Sequence, residues 1–216
     1  MAEAEKIEVS IKDALIIVDP QNDFCPGGKL AVEGGDEIMK KIAELSKRYE
    51  TVIITQDWHP EGHSSFASQH EGKNPFEVID MPYGPQVLWP DHCIQGSEGA
   101  EFHPDILPAV ERAQLIIRKG MNPEIDSYSA FTENDQVTVT GLGGLLRSKR
   151  LRRCVFVGLA YDYCVGFSAL DAFRNESMQS IVLRDLTRAI DPKSVDEMNE
   201  QFRINNIIVI DSGDLT

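Results

Sequence analysis

The chain has 216 residues, 42% of them hydrophobic, which is enough for a full core, and a single domain over 1–216 is the expectation for that size. Its 35 Asp and Glu against 21 Lys and Arg give a formal net charge of -14, which repels phosphate backbones and anionic lipid and argues against nucleic acid or membrane as a partner. The opening stretch MAEAEKIEVSIKDALIIVD is acidic where a secretory leader would be basic, and its apolar run is of strand length, so a cytoplasmic protein is expected.

Six short apolar runs follow one another: DALIIVD, TVIIT, AQLIIRK, RCVFVGLA, SIVLR and NIIVI. They are Val- and Ile-rich and nearly continuous, as strands covered on both faces are. They predict a three-layer α/β sandwich whose six-stranded, mostly parallel sheet lies between two layers of helices. After the first run, Asp36 is placed to cap a helix with Ile38, Ile42, Leu45 and Tyr49 on one face. The stretch 56–112 is rich in Pro, Gly and His, shows little helical or strand pattern, and is long enough to be read as functional. After the fifth run, Asp191 and Pro192 start a helix with Val195, Met198 and Phe202 as its apolar stripe. There is no internal repeat, low-complexity tract or linker.

Ligands of open α/β sheets sit at the carboxyl ends of the strands. Asp19 ends the first run, Asp57 and His59 leave the second, Lys119 leaves the third and Cys164 follows the fourth. Four strands thus deliver reactive side chains to one edge. Cys164 falls at the start of a helix, where the dipole and free N–H groups favour a thiolate, so it is read as a nucleophile; the alternative is a small buried core residue. Cys25, Cys93 and Cys154 lack that context and read as reduced, structural thiols. Asp19 could serve as general base toward the thiol or simply form a turn, as Asp23 is taken to do. Lys119 could balance charge and stabilise a developing anion, or be a solvated surface lysine.

Asp57 and His59 can point to one side of an extended chain, and His92 in LWPDHC would complete a two-histidine, one-carboxylate set suited to one divalent metal ion, Zn²⁺ first, with Fe²⁺ or Mn²⁺ as alternatives. His63 is a second candidate ligand or a polar group on the substrate side. His70 and His103 are read as solvated.

With these pieces in place the chain resembles the nicotinamidase (pyrazinamidase) branch of the isochorismatase-like cysteine hydrolases. The resemblance runs through DALIIVDPQNDFCPGGKLAV, TQDWHPEGHSSF, LWPDHCIQGSEGAEFH, RKGMNPEIDSYSAF and VGLAYDYCVGFSALDA, in that order. It implies the isochorismatase-like hydrolase fold, a catalytic trio of Asp19, Lys119 and Cys164, and a metal on Asp57, His59 and His92, with His63 at a position that binds metal in some members. It implies as well an oxyanion hole from the N–H groups of Ala160 and Cys164 after a cis Leu159–Ala160 peptide, and an aromatic slot lined by Phe24 and Trp89 with Tyr128 nearby. The implied reaction is hydrolysis of nicotinamide to nicotinate and ammonia through a cysteine thioester, in NAD salvage, by a chain that could be a homo-oligomer. Tyr161 departs from the smaller residue many relatives carry there. Two other readings are weighed: a hydrolase of another small amide or of isochorismate, and a non-catalytic binding domain on the same fold.

Overall fold

The computed structural model describes residues 6–216. Strands β1 (Asp13–Val18), β2 (Thr51–Asp57), β5 (Leu115–Lys119), β6 (Arg153–Leu159), β7 (Gln179–Arg188) and β8 (Ile208–Ile210) are the six apolar runs, and they form one sheet in the order β5-β2-β1-β6-β7-β8. Every pairing in it is parallel.

Alternate residues of each strand feed opposite layers. Leu15 and Ile17 of β1, with Val52, Ile54, Val155 and Val157, pack against α1 (Met39–Ser46) through Met39, Ile42 and Leu45. Ala14, Ile16 and Val18, with Ile53, Cys154 and Phe156, meet α3 (Leu142–Ser148), α4 (Gly166–Arg174) and α5 (Pro192–Ile204) through Leu146, Ala169 and Phe202. Both faces being covered is why the strands read as continuous apolar runs. The short helix α2 (Leu107–Val110) adds to the α1 layer.

Two local expectations differ. Asp36 does not cap α1: it opens a 3₁₀ turn, Asp36–Ile38, that runs into the helix, and its side chain takes no capping bond. Asp191, by contrast, accepts from the Lys193 N–H at the start of α5. The 56–112 stretch contains a small antiparallel hairpin, β3 (Val78–Met81) and β4 (Gly84–Val87). Its strands are too short, and too interrupted by Pro85, to show in a periodicity reading. Among the described residues no helix is long and apolar enough to cross a membrane.

The chain order reverses at β1, which lies between β2 and β6. That is a switch point, where the loops at the strand ends part and leave a crevice. Gly158 lets the strands close there: its φ is +106°, and a Cβ would lie 2.1 Å from the Val18 carbonyl oxygen of β1.

Candidate active site

Lys119 ends β5 and reaches under β2 into the crevice, fully buried. Its Nζ lies 2.8 Å from Asp19 Oδ2 and donates to Asp57 Oδ1 at 3.0 Å, to the Ser127 carbonyl at 3.1 Å and to Cys164 Sγ at 3.3 Å. Burial works against its charge, but the two carboxylates outweigh that and raise its pKa well above the usual lysine value. The ammonium therefore stays charged in a dry site.

Asp19 follows β1 in a left-handed conformation, φ 43°. Thr55 of the neighbouring strand donates to its Oδ1 at 2.6 Å and accepts from its N–H at 3.0 Å. Oδ2 has the Lys119 ion pair but no well-angled hydrogen bond, which leaves a lone pair unused. Burial raises the Asp19 pKa, against the pull of Lys119. A carboxylate in that state can take up a proton and hand it on.

Cys164 lies in one wide helical turn, Tyr161–Val165, that leads into α4. The sequence reading expected the helix start to favour a thiolate. Burial dominates instead and pushes the thiol well above its usual pKa, although Lys119 pulls the other way. Lys119 already faces Asp19 and Asp57, so a resting thiolate would be a third anion on one cation. The thiol is poised to ionise only as its proton moves to a neighbour. The β6–β7 ladder ends at the Leu159–Arg188 pair, and the Leu159–Ala160 peptide just beyond it is cis, as the resemblance leads one to expect. Tyr161 is accommodated on the far side, with its hydroxyl bonded to Asn199 and its ring 5.5 Å from that of Phe202.

Asp57, His59 and His92 converge with ligand atoms within 4.8 Å of one another. His59 and His92 come together because the two segments bridge in parallel: the His59 N–H donates to the Cys93 carbonyl and the Gln95 N–H to the His59 carbonyl. Nδ1 of His59 lies 3.0 Å from the Gly120 carbonyl and Nδ1 of His92 lies 2.8 Å from that of Pro90. Each Nδ1 donates there, which turns each Nε2 toward the Asp57 carboxylate. The two Nε2 atoms lie 3.0 and 3.3 Å from Asp57 Oδ2. Such a donor set fits a divalent metal ion. Burial opposes the Asp57 charge, but His59 and Lys119 hold its pKa well below the carboxylate range.

The cavity above these groups is lined on its apolar side by Phe24, Leu30, Trp89, Tyr128, Tyr163 and Ile190 and on its polar side by Asp57, His59, His92, Asp126 and Cys164. Trp89 and Tyr163 meet edge to face at 4.8 Å, and Tyr128 closes on Tyr163 at 5.4 Å. Every residue expected at the site thus lies in or beside one crevice.

Sequence reading missed several others. Gln21 brackets the Asp57 backbone, accepting from its N–H and donating to its carbonyl, both at 2.8 Å. Asp23 is more than a turn residue: it receives the Cys93 N–H at 2.7 Å, next to His92. Asp162 accepts from the N–H groups of Ile190 and Asp191 at 3.0 Å and from Ser194, tying the Cys164 turn to the start of α5. His70 bonds to the Ser64 carbonyl at 2.7 Å and is not merely solvated. Nearness in sequence to Asp19 was the available signal for Gln21 and Asp23, and nearness to Cys164 was the signal for Asp162. Nothing in the sequence marked Asp126.

A thiol beside a carboxylate and an ammonium, next to a metal-ready trio at the switch point of a parallel sheet, is the equipment of a hydrolase acting on a small molecule. The family model of the isochorismatase domain matches residues 13–214, and the chain belongs to that family. It is 53% identical over 179 residues to a nicotinamidase of Acinetobacter baylyi, covering 82% of each chain. In fold it is similar to a nicotinamidase/pyrazinamidase of Acinetobacter baumannii (TM-score 0.92, 46% identity, 95% of this chain and 98% of that one). It is also similar to a pyrazinamidase of Pyrococcus horikoshii solved in complex with zinc (TM-score 0.75, 33% identity, 93% and 99% covered).

Proposed function

We propose that the chain hydrolyses nicotinamide to nicotinate and ammonia through a cysteine thioester, as one cytoplasmic domain serving NAD salvage. The observation that carries the reading is the placing of Cys164 Sγ 3.3 Å from Lys119 and in the same cavity as a two-histidine, one-carboxylate set and an aromatic slot. A flat heteroaromatic amide suits such a slot.

In this reading the carboxamide carbon sits over Cys164 with its ring between Phe24, Trp89 and Tyr128. Asp19 takes the thiol proton as sulfur attacks, and the carboxamide oxygen, now anionic, accepts from the Ala160 and Cys164 N–H groups. The C–N bond breaks as Asp19 returns the proton to nitrogen, so ammonia leaves and a thioester remains. Water then attacks the thioester carbon, Asp19 takes one of its protons, and the C–S bond breaks to give the acid and a thiol again. Lys119 holds Asp19 and Asp57 in place and limits the build-up of negative charge. Asp57, His59 and His92 would hold the divalent ion, proposed as zinc, which supplies a Lewis-acid anchor for the ring nitrogen.

Ammonia release from nicotinamide by the purified, metal-loaded chain tests the proposal. Turnover with nicotinate as co-product is expected. Release from a different small amide with none from nicotinamide would replace the substrate, and no release from any amide would remove the reaction.

A further inference from the structure

His63 is fully buried, packs its ring 4.4 Å from that of His59, and sits where a fourth metal ligand could be sought. Its hydrogen bonds differ in kind from those of the other two histidines. Nδ1 of His59 and of His92 faces a carbonyl and must donate, which leaves Nε2 free to bind metal. Nδ1 of His63 is approached by the Ser65 N–H at 3.2 Å, and a backbone N–H can only donate. The Ser65 hydroxyl lies on the same nitrogen at 2.8 Å. Nδ1 of His63 is therefore an acceptor, and the ring proton sits on Nε2.

That Nε2 is buried and without a hydrogen-bond partner among the described residues. His63 belongs to a second cluster, with His59 and Asp126, in which one ligand atom from each residue lies within 4.8 Å of the others. His59 is common to both clusters, so the His63 N–H and the Asp126 carboxylate stand together on one flank of the proposed metal site. Asp126 is itself buried, and its Oδ2 is held by Gln86 Nε2 at 2.8 Å while Oδ1 accepts from the Ser127 N–H at 2.8 Å. A buried donor beside a buried acceptor at that separation is what a bridging water molecule requires.

We propose that His63 is not a metal ligand, and that its Nε2–H and the Asp126 carboxylate together orient a water molecule on the open side of the metal held by Asp57, His59 and His92. The two are positioning residues: they act through that water. The proposal rests on the metal-site reading above, but the His63 tautomer does not.

Nitrogen-15 NMR of the chain with and without zinc reads the tautomers. Nε2–H on His63 and Nδ1–H on His59 and His92 are expected, and an Nδ1–H on His63 overturns the proposal. X-ray absorption of the zinc-loaded chain should count two imidazoles on the metal, unchanged in His63→Ala; a third imidazole that this substitution removes also overturns it. Zinc bound with no imidazole at all would refute the Asp57, His59, His92 reading and with it the oriented water, while the metal-free tautomer would still decide whether His63 is built as a donor. In function, His63→Ala should lower kcat/KM by about 10-fold or more, and His63→Gln, which restores an N–H donor, should recover most of it. Equal activity of the Ala and Gln variants would remove the donor role.

Discussion

Lys119 donates to Asp57 Oδ1 at 3.0 Å, and the other oxygen of that carboxylate faces the His59 and His92 imidazoles. One side chain therefore joins the sulfur half of the site to the metal half, with Lys119 serving both. Replacing the lysine by Met leaves two buried carboxylates without their cation. Unfolding free energy should fall by about 3 kcal/mol, the lower end for breaking a buried pair, because Asp19 can relieve part of the repulsion by taking up a proton. Asp19 already has a raised pKa against the pull of Lys119, so losing that pull raises it further. A group with a raised folded pKa destabilises the fold once pH passes its unfolded value, and fully above the folded one. The deficit of Lys119→Met in urea unfolding should therefore widen as pH rises, and a deficit constant with pH would contradict the pairing.

Cys164→Ala removes the sulfur and little volume. Ammonia release should become undetectable while circular dichroism and metal content stay those of the parent. Asp19→Asn cannot accept the thiol proton and should lower kcat by about 10²- to 10⁴-fold. Substantial turnover by either variant would displace the thioester route.

Gly120→Ala should act on the metal site through one contact. Its φ is +67°, and a Cβ would lie 2.4 Å from His59 Cε1 and 2.7 Å from its Nδ1. Metal affinity, measured by chelator competition, should fall by about 10- to 100-fold as the ring is displaced. Gly72→Ala is the control: its φ is +73°, but a Cβ there meets nothing within 4 Å, so metal affinity should not change.

Asp162→Ala strands two backbone N–H groups at the start of α5 and frees the Cys164 turn. A loss of about 2–4 kcal/mol in unfolding free energy is expected from several bonds to one carboxylate, with lower kcat and unchanged metal content. Asp162→Asn, which keeps one acceptor oxygen, should fall between. A variant with parental kcat would show that the turn holds its shape without this clamp.

Chelation of the metal should raise KM more than it lowers kcat, since the proposed nucleophile is sulfur and the metal's part is to anchor the ring. Steady-state kinetics on the stripped chain check this, and an effect confined to kcat would instead place the metal in the chemical step.

The six strands were legible because both faces of the sheet are buried: past Asp13 at its start, β1 is apolar at every position from Ala14 to Val18 and reads as one continuous run. The reactive residues were legible for a related reason, since a polar group at the end of such a run must emerge at the sheet's carboxyl edge. The β3–β4 hairpin was not, because its four-residue strands are held by local pairing and carry no apolar stripe.

From the sequence alone came the layer architecture, the edge where the chemistry sits and, through family resemblance, the side chains placed there. Only the tertiary structure decided their electrostatic state. Burial pushes the Cys164 thiol well above its usual pKa, and the opposing pull of Lys119 is shared with two carboxylates, a balance set by distances between four strands. The histidines divide in the same way. In the sequence His59, His63 and His92 are equivalent imidazoles, and which nitrogen of each bears the proton is settled by the group its Nδ1 meets. For His59 that group is the Gly120 carbonyl, 61 residues away, and no pattern along the chain encodes such a contact.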